Sequence, residues 1–289
     1  MAAFSIVVGT AVLALKVAAW AVTGSAALYS DALESIVNIA ASALALFALW
    51  VAEKPADAKH PYGHDKAEFF AAVVEGALII VAALSIMHAA WTAWHAPTVL
   101  DAPWSGLALN AAATGINAIW ALVLGRSATR HRSAALDADA RHLWGDVVTS
   151  SAIMAGVVLV VVTGYARLDP LLAAAAAIWV LVSGLRLLWR SIGTLMDEAP
   201  EPAVTDRVRA LVAAHAEGAL EAHDLRMRHA GRQTFLEFHL VVPGEMRVDD
   251  SHVICDRIET ALRAEVQGLL VTIHVEPEMK AKHQGVLVL

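Results

Sequence analysis

Charge is scarce in this chain. Lys, Arg, Asp and Glu make up 17% of its 289 residues, against 58% for the apolar types. A soluble domain of that length rarely reaches such a balance, so a multi-pass membrane protein is the first expectation. A single cysteine, Cys255, excludes an internal disulfide framework. The net charge of −7 argues against a nucleic-acid partner. No His-Glu-x-x-His motif and no clear nucleophile–base pair occur, which disfavours a membrane metalloenzyme. No basic segment precedes the first apolar run, and that run reaches full helix length, so no cleavable signal peptide is expected. Histidine, by contrast, is plentiful: there are 13, several of them beside carboxylates.

The apolar residues fill positions 1–196 and then thin out, which sets the main domain boundary. Six runs are long enough to span a bilayer: 4–22, 28–51, 69–94, 107–124, 142–162 and 171–188. Gly24-Ser25, Thr163-Gly164 and Leu168-Asp169-Pro170 punctuate their ends. Lys54, Lys59 and Lys66 follow the second run, Arg126, Arg130, Arg132 and Arg141 the fourth, and Arg186 and Arg190 close the sixth. The other connections hold little more than Arg167, so the positive-inside rule predicts cytoplasmic basic loops and cytoplasmic termini. Residues 197–280 read as a small α+β domain. It has a helix over 203–214, strands over 221–227 and 234–242 with Gly231 between them, a helix over 250–265, and a strand over 268–275. Asp249, Asp250 and Ser251 are candidate caps for the second of these helices. The αββαβ order predicts a ferredoxin-like layer. Residues 281–289 show no pattern and are expected to form a flexible tail.

Polar residues inside the apolar runs carry the functional signal. A carboxylate at mid-membrane costs about 2.5–3.5 kcal/mol on insertion scales. Yet Asp31, Glu34 and Asn38 recur at helical spacing in the second run, and His142 and Asp146 form an i,i+4 pair in the fifth. Glu34, Asn38, His142 and Asp146 together offer one nitrogen and three oxygen ligands, a set suited to a divalent transition ion. Interhelical hydrogen bonding is the plain alternative. Asp31, one turn from Glu34, could be a further ligand, a cap or a partner to a ligand. Lys16 in the first run could snorkel or pair with a carboxylate.

Two more groups lie outside the runs. Asp57, His60 and His64 are spaced so that one turn could gather them, though a solvated polar loop would look similar. His223, His239, His252, His274 and Glu276 are spread over several elements of the second domain. His274 and Glu276 alternate on one strand and share a face, which suggests a second metal site. A histidine among oxygen ligands suits Zn2+, Fe2+, Co2+, Mn2+ or Cd2+.

These landmarks occur in the order of a known family. Gly24-Ser25, the Glu34–Asn38 and His142–Asp146 pairs, residues 60–68 (His-Pro-Tyr-Gly-His-Asp-Lys-Ala-Glu), Leu168-Asp169-Pro170 and Ala222-His223-Asp224-Leu225-Arg226 cover nearly the whole chain. The chain resembles bacterial cation diffusion facilitators, dimeric exporters that exchange divalent metal for protons. The resemblance implies a transport site at Glu34, Asn38, His142 and Asp146. It also implies a loop site at Asp57, His60 and His64. A third, cytoplasmic site at His223, His239, His252, His274 and Glu276 would help join two soluble domains. Lys66 and Asp197 match positions that in relatives can form a salt bridge near the dimer interface. A homodimer in the bacterial inner membrane follows, with Zn2+ or a similar ion as substrate and as a bound structural or regulatory ion.

One departure stands out. The family usually has Asp or His in place of Glu34 and Asp in place of Asn38. Asn38 is neutral, so the site loses one negative charge, and Asp31 is the nearest carboxylate that could replace it. The rival reading is a membrane-tethered metal sensor or storage scaffold that binds metal without moving it.

Overall fold

The computed structural model describes residues 2–96, 100–131, 134–231, 233–266, 268–283 and 286–287. The side chains of residues 2, 3, 128, 131, 134–139, 141, 142, 286 and 287 lie outside the described residues. Two compact units emerge, one of residues 1–47 and 71–188, the other of residues 48–70 and 189–289.

Among the described residues, six helices are long and apolar enough to cross a membrane. They are α1 (Ala2–Thr23), α2 (Ala26–Ala52), α3 (Ala67–His95), α4 (Pro103–His131), α5 (Ala134–Thr163) and α6 (Leu168–Leu195). Most outrun the apolar stretches that signalled them. The earliest start relative to its run is that of α5, which begins well before His142 because 134–140 is rich in alanine, the strongest helix former. Gly24 (φ +65°) ends α1 and Gly164 (φ +69°) ends α5. Each amide donates back to the carbonyl four residues earlier, at 2.8 and 2.9 Å, a left-handed stop that glycine adopts without strain.

In the first unit, α1, α2, α4 and α5 share a core through Ala19, Leu28, Leu107, Ile153 and Val157. Trp120, Leu124 and Ala140 extend it between α4 and α5. Helices α3 and α6 pack on the start of α2 through Ala26, Ile86, Ala90, Ala173 and Ala177. They also approach each other at Gly76 and Gly184, where an added Cβ on Gly184 would stand 2.7 Å from Ile79.

The start of α2 is held by α6. Ser25 Oγ donates to Asp169 Oδ1 at 2.5 Å, and the Ala26 amide donates to Asp169 Oδ2 at 2.6 Å. Ser25 Oγ in turn accepts from the Leu28 amide at 3.1 Å. A buried carboxylate thus satisfies amides that a helix start otherwise leaves unpaired. Gly24-Ser25 and Leu168-Asp169-Pro170, far apart in sequence, are two halves of one network.

The second unit holds α7 (Pro202–His215), β1 (Glu221–Ala230), β2 (Gln233–Val242), α8 (Val248–Glu265), β3 (Leu269–Pro277), a 3-10 turn (Glu278–Lys280) and β4 (Val286–Leu287). The sheet order is β3-β2-β1-β4. β1 and β2 form an antiparallel hairpin turning at Gly231, and α8 carries the chain over to β3, which runs parallel to β2. Val208, Val212, Leu236, Phe238, Ile258 and Leu262 form the core between helices and sheet. The αββαβ layer is therefore present, with a short fourth strand added at one edge. Where the sequence shows no pattern, Val286 and Leu287 pair with Ala222 and Glu221. The expected caps of α8 are not caps. Arg247 is the N-cap residue and makes no side-chain capping bond, and Asp249 is instead held by the Arg247 guanidinium at 3.0 Å.

The segment between α2 and α3 packs on the β1–β2 hairpin. Tyr62 meets the Phe235 ring edge-on at 5.7 Å. Asp65 comes so near Gly231 (φ +60°) that an added Cβ would stand 2.7 Å from it. Asp197 Oδ1 accepts from Lys66 Nζ at 2.9 Å and from Arg228 at 3.1 Å. Lys66, and then Arg228, hold the Asp197 carboxyl below its ordinary value of 3.8.

Two outcomes follow. Asp169→Ala leaves buried donors without an acceptor, so the detergent-solubilised protein should lose about 1–3 kcal/mol of stability, read as a lower Tm. Asp169→Asn should recover part of that. The Asp197 contribution is present above pH 3.8 and fades as pH falls through the depressed folded value. Asp197→Asn should therefore lower Tm slightly near neutral pH, by about 0.2–1 kcal/mol for so exposed a pair. The gap from wild type should close as pH falls through that depressed value; a gap that persists below it contradicts the ion-pair account.

Candidate metal centres

Helices α2 and α5 bring intramembrane polar groups together. Asn38 Nδ2 donates to both oxygens of Asp146, at 3.2 and 3.1 Å. Asp146 is buried, with Asn38 and Glu34 half-buried beside it. Glu34 lies one turn before Asn38 on α2, within reach of the Asp146 charge. His142 lies one turn before Asp146 on α5, but its side chain is outside the described residues.

Asp31 is engaged elsewhere. Its Oδ1 accepts from Lys16 Nζ at 2.9 Å and from Ser150 Oγ at 2.7 Å, and Lys16 also donates to Ser150 Oγ at 2.9 Å. The lysine and the carboxylate are 2% and 1% exposed. Of the roles open to Lys16, the structure shows pairing with a carboxylate. A lysine held by the Asp31 Oδ1 oxygen opposes a metal ion at the same oxygen.

The loop after α2 gathers Asp57, His60 and His64, with one ligand atom of each within 4.8 Å of the others. Asp57 Oδ1 accepts from the amides of Lys59 and His60 at 2.8 and 2.7 Å. The His60 amide, and then that of Lys59, hold its carboxyl below the ordinary range. The rings of His60 and His64 lie 4.4 Å apart, and the buried His64 Nδ1 has no hydrogen-bond partner among the described residues.

A larger cluster lies on the sheet. His223 on β1, His239 on β2 and His274 on β3 are direct neighbours in register. Paired residues on adjacent strands project from the same face, so the three rings form a row, with centroids 5.3 and 4.9 Å apart. Their side chains are 3%, 35% and 66% exposed along that row, so it runs from the interior to the surface. Glu276 lies against all three, 3.3 Å from His223 Nε2, 3.4 Å from His239 Nδ1 and 3.7 Å from His274 Nε2. His252 is not in this cluster. It sits on α8, exposed, 3.9 Å from Asp256.

Two carboxylates join the cluster that sequence reasoning missed. Glu221, buried, lies 3.2 Å from His223 Nδ1. Strand alternation places residues 221 and 223 on one face, so that signal was available. Burial pushes the Glu221 carboxyl up, but the amides of His283 and Lys282 outweigh it and keep it below the ordinary range. Asp224 groups with His223 and His239, one ligand atom of each within 4.8 Å of the others. Alternation would put it on the opposite face. A bulge between His223 and Arg226, with Asp224 at φ +54°, turns it back. Lys282 Nζ donates to Asp224 at 2.6 Å and holds its carboxyl low.

Both ring nitrogens of His223 and Nδ1 of His239 are buried and make no aligned hydrogen bond among the described residues. Imidazole nitrogens turned toward carboxylates at 3.2–3.4 Å without hydrogen-bond geometry suit a divalent cation held between them.

Known proteins match over most of the chain. Residues 2–196 match the cation efflux transmembrane domain, and residues 200–278 match the cytoplasmic domain of cation efflux proteins. An uncharacterized transporter of Synechocystis sp. is 42% identical over 276 residues, covering 96% of this chain and 89% of the relative. The cation-efflux pump FieF of Cronobacter sakazakii is 32% identical over 271 residues, covering 93% and 89%. A solved structure of the Zn form of CzrB is 48% identical and covers 30% of this chain and 98% of its own, with a TM-score of 0.29. With both domains matched in order, and six apolar helices to carry the first, the chain belongs to the cation diffusion facilitators, as a multi-pass membrane transporter of cations rather than an enzyme.

Proposed function

We propose that this transporter exports divalent transition-metal ions, Zn2+ foremost, in exchange for protons. The observation that carries the reading is the meeting of Asn38 and Asp146 across α2 and α5, with Glu34 one turn away. Buried acidic groups on facing membrane helices suit a cation path better than a tether, which favours transport over a sensor or storage scaffold. His142, one turn from Asp146, supplies the nitrogen ligand. One imidazole among oxygen ligands suits Zn2+, with Fe2+, Co2+, Mn2+ and Cd2+ as competitors.

Asn38 has two faces in this scheme. Its Nδ2 steadies the Asp146 carboxylate when no ion is bound. A turn of the amide presents Oδ1 to the ion instead, so one residue serves both states of the cycle. Proton exchange follows from competition for the same ligands, because His142, Glu34 and Asp146 bind metal in their deprotonated forms. His142 is the chief carrier of the exchanged proton, since an imidazole titrates near neutral pH. The basic loops support a bacterial inner-membrane protein with both termini and the second domain in the cytoplasm.

Asp57, His60 and His64 form a loop site. The row of His223, His239 and His274 with Glu276 forms a site that senses cytoplasmic metal. His252 joins that site only across a homodimer, where the exposed end of the row meets a second copy. Metal bound there biases the conformational equilibrium by differential affinity for its states.

Zinc flux into proteoliposomes, with an inside pH reporter, checks the scheme. His142→Ala and Asp146→Ala should each cut metal-driven proton flux by about tenfold or more. Undiminished exchange in both variants would sink the site. Asn38→Asp adds a charged ligand and should tighten zinc binding while altering metal preference in a competition assay.

A further inference from the structure

We propose that Lys16 is a specificity-determining residue of the transport site, a tethered cation that occupies Asp31 and limits the site to one divalent ion per protomer. The proposal rests on the assignment of Glu34, Asn38, His142 and Asp146 as that site. Lys16 Nζ, Asp31 Oδ1 and Ser150 Oγ form a closed triangle with sides of 2.9, 2.7 and 2.9 Å that links α1, α2 and α5. All three residues are buried. Asp31 stands three residues before Glu34, and Ser150 four after Asp146, so the triangle lies one helical turn, about 5 Å along the axis, from the ion ligands.

The second oxygen of Asp31 supplies an independent observation. Asp31 Oδ2 is buried and has no hydrogen-bond partner among the described residues. A carboxylate oxygen left in that condition offers a ligand to any cation that can reach it. Lys16 is the cation already present, and it is covalently attached.

Charge counting shows what the lysine does. Asp31, Glu34 and Asp146 carry −3 when ionised, and Lys16 brings that to −2. One divalent ion then leaves the region neutral, with Asn38 and neutral His142 adding nothing. Without Lys16 one divalent ion leaves a surplus negative charge at Asp31, in a place where unpaired charge is costly. A second metal ion at Asp31 would pair the carboxylate that the lysine leaves bare. The neutral Asn38 fits the same logic, because an Asp there would restore the surplus that Lys16 removes.

The experiment counts Zn2+ bound per protomer to the full chain in nanodiscs by equilibrium dialysis. Asp146→Ala serves as the reference that removes the transport-site ion. Lys16→Met should bind one more Zn2+ per protomer than wild type, and Lys16→Met/Asp31→Asn should return to the wild-type number. An unchanged count in a folded Lys16→Met protein overturns the proposal and leaves the lysine a structural pin. If Lys16→Met does not fold, Asp31→Asn decides instead. It leaves the lysine unopposed beside the ligands and should weaken transport-site zinc binding at least about tenfold by repulsion; unchanged affinity overturns the proposal. If Asp146→Ala loses no zinc, the transport-site assignment fails, whereas the Lys16 and Asp31 comparisons still report on the triangle.

Discussion

A charge inside hydrocarbon must find a partner of opposite sign or a dense set of hydrogen bonds, and the positions of α1, α2 and α5 follow from that constraint. Lys16 sits on α1, Asp31 on α2 and Ser150 on α5, so their contact sets the depth and rotation of three helices at once. The next turn of α2 and the preceding turn of α5 then face each other, which brings Asn38 onto Asp146. Apolar packing through Leu28, Ile153 and Val157 supports this register without selecting it, since small and branched side chains tolerate more than one sliding position. Polar contacts tolerate far less, because a displaced partner leaves a buried group unpaired.

The soluble domain solves a similar problem by different means. The pairing of three strands aligns His223, His239 and His274, and the backbone alone puts the rings side by side. Carboxylates come from three sources: alternation on β1 and on β3, and the bulge that turns Asp224 inward. Lys282 then lies on Asp224, and the amides of Lys282 and His283 close over Glu221. In both domains a lysine takes up surplus acidic charge beside a candidate ion site.

The legibility of these features differed with their range. Six spans and the order of soluble elements were readable because hydrophobic runs and alternation are local. The intramembrane pairs were readable because polar residues at helical spacing in apolar runs are expensive. Partners were not. Nothing local links Lys16 with Asp31 rather than with Glu34 or Asp146, and the choice is made by how α1 packs on α2. Asp224 escaped because a bulge breaks the alternation on which the reading relied. Residues 282–283 and 286–287 have no pattern of their own, and their placement comes from the edge of β1 and the oxygens of Glu221.

The grip of Asp169 on the start of α2 constrains any rearrangement of the membrane helices. Helices α3 and α6 meet the start of α2 partly through small residues, among them Ala26, Ala90 and Ala173, while Ser25 and Asp169 tie the two groups with short hydrogen bonds. Flat alanine surfaces slide cheaply, whereas buried hydrogen bonds to a carboxylate do not stretch. A motion that separates the groups must therefore either break the Ser25–Asp169 network or swing around it. The second course is the cheaper, because it keeps the donors to the buried carboxylate in place.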